Sequence, residues 1–382
     1  MTVFDFAVGQ TNPETFPVAE FQAAAQRAIA KEHEAFNRYP GLRGHEGLRR
    51  LMAERESLRE GVEVDPECIA LMNGSMQAVT LVGQALRERD GDIVITEEFT
   101  YSGTIEAYKG IGLKLVGIGM DEHGMRIDLL EEKLSELAAS GRKPRFIYTL
   151  TMYQNPTGTC MPEARKTQLI ELARHYEIPV VEDNCYGDVH FQGDLVPAMF
   201  AMDPYGDHIY IGSLSKIFAP GVRLGYLYAK EPRFSEITAK RFDAGSNYFA
   251  AAVLAEFYKE GIEEHAERTT PALIRKRDLV VQGLEDNLAD ICAWSRPVGG
   301  LFLWVRLPDD VDMQKLLSIS ADANFFFAPG SNFHIEAREV PYLRLAFGHV
   351  PDDLIVQGMS VLANCIVKAR TSNEARSFDS LF

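Results

Sequence analysis

The 382-residue chain is 46% hydrophobic and 25% charged, and its 55 Asp and Glu against 39 Lys and Arg give a formal net charge of −16. This is the composition of an ordinary soluble globular protein, long enough to divide into at least two lobes. The negative balance excludes a surface that gathers nucleic-acid backbones or anionic lipid non-specifically, while a locally positive pocket for a small anion stays open.

The chain opens with "MTVFDFAVGQTNPETFP", in which no basic segment precedes an apolar run, so a secretory signal is not expected. No apolar stretch reaches the roughly 20 residues of a membrane-spanning helix. The five cysteines lack CxxC spacing and read as reduced thiols, which predicts a cytoplasmic protein. The nine histidines form no HExxH-like pattern, and no metal site is expected.

From about residue 65 to 230 short apolar runs alternate with longer amphipathic stretches, the pattern of a mainly parallel sheet with crossover helices. In chain order the predicted strands are "CIALM", "DIVIT", "LKLVGI", "RFIYTL", "IPVVED", "HIYIGS" and "RLGYLYA", whose near-continuous apolar runs suit burial on both faces. "SMQAVTLVGQALRER" and "PEARKTQLIELARHYE" read as helices between them; Leu169, Ile170, Leu172 and Ala173 recur at helical spacing, and Pro162 sits where a helix can begin. Beyond 230 long helices take over, the longest around 263 to 289. The strand-like pieces "GGLFLWVRL", "NFFFAPG" and "YLRLAFG" follow, then a last helix over about 351 to 368 and a polar tail expected to be poorly ordered. The expected class is α/β: a large lobe with a mainly parallel, doubly wound sheet and a smaller α+β lobe.

Ligands of such a sheet bind beyond the carboxyl ends of its strands, so the residues just past each strand carry the functional reading. After "CIALM" comes "NGSMQA", a glycine turn into a helix that exposes backbone N–H groups suited to phosphate, or serves as a routine helix cap. After "RFIYTL" comes Asn155-Pro156-Thr157-Gly158, sufficient as a plain turn. After "IPVV" comes "EDNCYGD", where Glu182, Asp183 and Asp188 cluster with Tyr186; three carboxylates there can bind a metal or cap a helix. After "HIYIG" comes "SLSKIFAPGVRLGY", which sets Lys216 between two serines and a Pro-Gly turn with Arg223 seven residues on; alone, it reads as a solvated lysine.

Taken in order, these motifs resemble the fold type I aminotransferases that use pyridoxal 5′-phosphate, particularly the aminoadipate, kynurenine and aromatic subgroup, and the resemblance runs from "FAVGQTNPETFP" to "YLRLAFG". It implies an aminotransferase that moves an amino group from an L-amino acid to a 2-oxo acid through a Lys216 Schiff base. Lys216, Asp183 and Tyr186 are its implied catalytic residues, with Asp183 on the cofactor's pyridine nitrogen and Tyr186 and Asn155 on its phenolic oxygen. Ser75, Met76, Ser213, Ser215 and Arg223 are the implied phosphate contacts, and Tyr101 the implied aromatic face. Arg344 is the implied clamp for the substrate carboxylate, Gly9 belongs to a segment closing over the substrate, and Tyr39 reaches the phosphate of the neighbouring subunit in a homodimer. The implied division is a segment over 1–40 that closes the site and contributes to the small lobe, a cofactor-binding domain over 41–262 and a small domain over 263–382.

The chain also departs from the family's pattern. It reads "TLTMYQNPTG" where many relatives have a proline before the aromatic, Cys185 stands where proline is common, and "SNYFAA" at 246–251 replaces a Ser-x-x-His-like segment. These departures bear on the side-chain pocket, for which Phe16, Tyr101, Tyr248 and Phe249 suit an apolar or aromatic group while leaving an acidic or basic one open. They also keep open elimination, decarboxylation or cyclisation on the same cofactor. A ligand-sensing module of a transcription regulator is the remaining alternative, set against by the acidic composition and by the absence of a basic domain ahead of the substrate-closing segment.

Overall fold

The computed structural model describes residues 2–259, 261–371 and 381. The polar tail expected to be poorly ordered lies almost wholly outside the described residues. Seven strands form the large sheet in the order Ile69–Met72, Gly225–Ala229, His208–Ser213, Val180–Asp183, Phe146–Thr149, Ile93–Glu97, Lys114–Ile118. Gly225–Ala229 runs antiparallel to both its neighbours, and the other pairs are parallel. All seven predicted strands are present within one or two residues of the expected ends.

Both faces of this sheet are covered, as the apolar runs require. Along Ile69–Met72, Ile69 and Leu71 enter one core while Ala70 and Met72 enter another, and Tyr210 parts from Ile209 and Ile211 in the same way. Adjacent strand residues point to opposite faces, so a continuous apolar run feeds two cores at once.

The second sheet has four strands in the order Ala293–Trp294, Phe302–Arg306, Tyr342–Ala346, Ala328–Pro329, all antiparallel. It shares a core with the helices Ile262–Leu288 and Asp352–Ala369 through Leu284, Leu303, Leu345 and Met359. "NFFFAPG", expected as one strand, is divided. Phe325–Phe326 pairs in parallel with Phe4–Asp5, while Ala328–Pro329 takes the sheet edge, the position that tolerates a residue without an N–H. Phe6 stacks on Phe325 at 5.1 Å, so the N-terminus is built into this second core.

A buried ionic cluster ties the helix Glu46–Glu60 to the turn after Val180–Asp183. Asp188 accepts from Arg55, and from Arg59 at 3.1 Å; Arg59 also reaches Glu56 and the Tyr210 hydroxyl, and Glu56 accepts from Tyr226. The side chains of Arg55, Glu56 and Asp188 are 8%, 1% and 7% exposed, so removing one partner strands the others' charge away from water. Asp188→Ala is expected to cost about 3 kcal/mol or more, read as a lower urea midpoint with the slope of the transition unchanged.

Candidate active site

The short helix Leu214–Ile217, directly after His208–Ser213, carries Lys216 to the carboxyl ends of the parallel strands. One cavity there is lined by Ser75, Met76, Tyr101, Asp183, Tyr186, Ser213, Ser215, Lys216 and Arg223, together with Leu150, Cys185 and Pro220. Nine residues singled out from the sequence therefore converge on one space.

Lys216 is half-buried, and its Nζ donates to the Gly9 carbonyl at 2.7 Å and lies 5.7 Å from the centre of the Tyr186 ring. Burial pushes its pKa down to about 8; the Cys185 thiol opposes this, while Arg344 and Arg223 add to it. Asp183 sits at a strand end, where Oδ2 accepts from the Tyr148 hydroxyl at 2.6 Å and Oδ1 from the Cys185 amide at 3.2 Å. Burial raises its carboxyl above the usual range, and these donors pull it back. The Tyr148 hydroxyl lies 3.0 Å from Thr104 Oγ1, which extends the chain behind Asp183 by one more group.

Gly74 ends the strand's extension with φ +84, and a Cβ on it would meet Arg223 Nη2 at 2.5 Å. A Cβ on Gly225 would meet the Ser75 amide nitrogen at 2.8 Å. Only glycine at these two positions lets the Ser75 amide and the Arg223 guanidinium share one small anion-sized space at a helix N-terminus. Ser213 Oγ accepts from the Ser215 amide at 3.2 Å, so it caps its own short helix as well as lining the cavity.

Asn155 joins this space to a second group of residues. Its Nδ2 donates to the Tyr186 hydroxyl at 3.4 Å and its Oδ1 accepts from Arg344 Nη1 at 2.8 Å. Arg344 Nη2 donates to the Ala7 carbonyl at 2.6 Å, and the guanidinium carbon lies 4.3 Å and 4.7 Å from the ring centres of Phe302 and Phe333. Its buried Nε has no hydrogen-bond partner, and burial lowers its pKa to about 10. A planar cation fixed by two rings, with a donor to spare, suits a carboxylate.

Tyr39, expected to serve a neighbouring subunit, is 87% exposed and does not line this chain's own cavity. Three of the four aromatic pocket candidates pack elsewhere. Tyr248 and Phe249 pack on Phe36 and His45, and do not face Lys216. Phe16 packs on Phe218, two residues past Lys216, at 5.3 Å. The three carboxylates of "EDNCYGD" do not converge on a metal: Glu182 pairs with buried Lys166 at 2.8 Å, Asp188 belongs to the arginine cluster, and only Asp183 lines the cavity. Tyr148, Thr104, Phe302 and Phe333 were missed from sequence. Tyr148 had one signal, a hydroxyl inside the otherwise apolar run "RFIYTL"; Phe302 and Phe333 had none, because a ring that flanks a cation reads as core.

Residues 2–359 match the family model of class I and II aminotransferases. An aromatic-amino-acid aminotransferase of Thermococcus litoralis is 33% identical over 368 residues, covering 95% of this chain and 88% of that protein. A 2-aminoadipate transaminase of Thermus thermophilus is 28% identical over 95% of this chain and 90% of its own length. Among solved structures, the kynurenine aminotransferase of Pyrococcus horikoshii in complex with PMP matches with a TM-score of 0.91 at 31% identity, over 96% of this chain and 91% of that one.

Because burial disfavours the charged amine, acylation of Lys216 in the cofactor-free protein is expected to rise with pH through a midpoint near 8. A solvated lysine reaches that point at about 10.4. Mass-spectrometric labelling across the pH range checks this, and a midpoint at the solvated value would contradict it.

Proposed function

Because the chain belongs to the class I and II aminotransferases and is a pyridoxal-phosphate-dependent enzyme of that kind, we propose that the cavity around Lys216 is its active site. The observation that carries the assignment is a half-buried lysine of lowered basicity in one cavity with a buried carboxylate and a glycine turn at a helix N-terminus. The residues fit the cofactor: the Gly74-Ser75 cradle and Arg223 suit its phosphate, Asp183 its pyridine nitrogen, Tyr186 and Asn155 its phenolic oxygen, and Tyr101 one face of its ring. When bound, pyridoxal phosphate supplies an aldehyde and an electron-withdrawing ring that together receive the substrate's amino group.

Lys216 holds an amine that is about half neutral near pH 8, able to attack a carbonyl carbon and, when free, to take the proton from the substrate's Cα. The Gly9 carbonyl accepts a hydrogen bond from that amine, which keeps Nζ inside the cavity and gives the N-terminal segment a part in closing it. Asp183 holds negative charge against the ring nitrogen, with Tyr148 and the Cys185 amide fixing its two oxygens. Arg344 orients the substrate carboxylate beside Asn155.

The site is read as one of a cytoplasmic homodimer in which Tyr39, exposed here, serves the partner's cofactor phosphate. Residues 1–40 then act as a closing segment, 41–262 as the cofactor domain and 263–382 as the small domain. The names of the aromatic-amino-acid and kynurenine relatives support an aromatic amino donor with a 2-oxo acid as acceptor, and that of the 2-aminoadipate relative keeps an acidic one open.

Incubation of the holoenzyme with an amino acid and a 2-oxo acid is expected to yield the exchanged pair in equal amounts, with no net product from the amino acid alone; carbon dioxide or a Cβ leaving group as product would overturn this. Lys216→Ala is expected to abolish turnover while keeping affinity through the phosphate contacts. Arg344→Ala is expected to lower kcat/KM for the amino acid by roughly 100-fold or more, with cofactor affinity unchanged.

A further inference from the structure

The turn Asn73-Gly74-Ser75 is braced from behind by the segment 241–247, which links the helices Arg233–Thr238 and Tyr248–Tyr258. Asp243 Oδ2 accepts from Asn73 Nδ2 at 3.0 Å and from Gln77 Nε2. The same carboxylate is oriented by Arg241, whose Nε and Nη2 donate to Oδ1 and Oδ2 at 2.9 and 3.0 Å, while the Gly245 amide donates to Oδ1 at 3.2 Å. Arg241 is fixed in its turn. Its side chain is 0% exposed, and Nη1 donates to the carbonyls of Leu42 and Leu71 at 2.6 and 2.7 Å. Leu71 lies in the strand that leads into the turn.

Both amide side chains also bond to backbone N–H groups. Asn73 N donates to Gln77 Oε1 at 2.8 Å, and Asn73 Oδ1 accepts from Asn247 N at 3.1 Å. Asn73 and Gln77 stand on either side of Gly74, Ser75 and Met76, so the groups flanking the phosphate cradle end on one carboxylate. Hydrogen bonds to a charged acceptor are about twice as strong as neutral ones. The Arg241 and Gln77 donors outweigh the cost of burial and hold the Asp243 pKa down to about 2, so the brace keeps its charge at every pH at which the protein works.

We propose that Asp243 is a positioning residue for the phosphate-binding turn: it stays out of the cavity and, by holding Asn73 and Gln77, sets the direction of the Ser75 and Met76 amides. This rests on the pyridoxal phosphate reading of the Lys216 cavity; in "SNYFAA" the Asn247 side chain caps the helix Tyr248–Tyr258, and its backbone N–H donates to Asn73 Oδ1. A brace that serves the phosphate alone affects a phosphorylated ligand and leaves its unphosphorylated counterpart untouched.

The test compares pyridoxal phosphate with pyridoxal by equilibrium dialysis against the parent and Asp243→Asn, a change that keeps the shape but turns N–H groups toward existing donors. The variant is expected to bind pyridoxal phosphate about 10-fold or more weakly and pyridoxal within about twofold of the parent. Amide exchange at Gly74, Ser75 and Met76 in the cofactor-free protein is expected to quicken. Gln77→Met removes one arm of the brace, and a smaller loss in the same direction supports the inference even where Asp243→Asn does not fold. Unchanged affinity for pyridoxal phosphate in the variants, or equal losses for both aldehydes, overturns it. A parent that binds neither aldehyde instead removes the functional reading itself, so the two failures are distinguishable.

Discussion

The rest of the site is arranged around an amine partly withdrawn from water. Lys216 is half-buried and lines a cavity with Arg223; Arg344 and Arg223 add to the lowering of its basicity, and its hydrogen bond goes to the neutral carbonyl of Gly9. A buried amine without ionic compensation gives up its proton more readily, which is the property a nucleophile needs. The protein obtains this at a cost in stability: desolvation is made good by the packed cores on both faces of the sheet. The N-terminal segment is part of the arrangement, because its built-in pairing of Phe4–Asp5 with Phe325–Phe326 places Gly9 over the lysine.

Each end of the cavity is held by charge from outside it. At the phosphate end, Arg241 and Asp243 set the turn of Gly74. At the ring end, Asp183 and Tyr186 lie on one short turn whose next residue but one after Tyr186, Asp188, is held by Arg55 and Arg59, while Asn184 donates to the Tyr210 hydroxyl at 3.0 Å. The pattern is common to both ends: an arginine outside the cavity orients a carboxylate, and the carboxylate fixes a turn that lines it.

The sheet was legible from sequence because a strand buried on both faces writes itself as a continuous apolar run, and all seven runs are strands. Function was legible at the strand ends because polar residues there interrupt those runs: Ser75, Asn155, Asp183, Tyr186 and Lys216 each stand just beyond one. What was not legible shares a physical reason. The Phe325–Phe326 pairing depends on the chain's first residues, more than 300 positions away. The arginine braces likewise depend on separations that no local pattern encodes, 133 residues for Arg55 and Asp188 and 170 for Asn73 and Asp243. "EDNCYGD" left metal binding and helix capping both open for the same reason, and Lys166, Arg55 and Arg59 arrive from elsewhere to claim two of its three carboxylates.

Asn155 joins the two halves of the proposed site. One end of its amide donates to the Tyr186 hydroxyl on the cofactor side, and the other accepts from Arg344 on the substrate side. Burial holds the Tyr186 hydroxyl well above its usual pKa, so it stays a neutral donor and acceptor, and the amide's orientation is decided by the arginine. On the proposed reading, a substrate carboxylate on Arg344 would lower the acceptor demand on Asn155 Oδ1, and the one amide that bridges Arg344 and Tyr186 would couple the two groups without movement of either sheet.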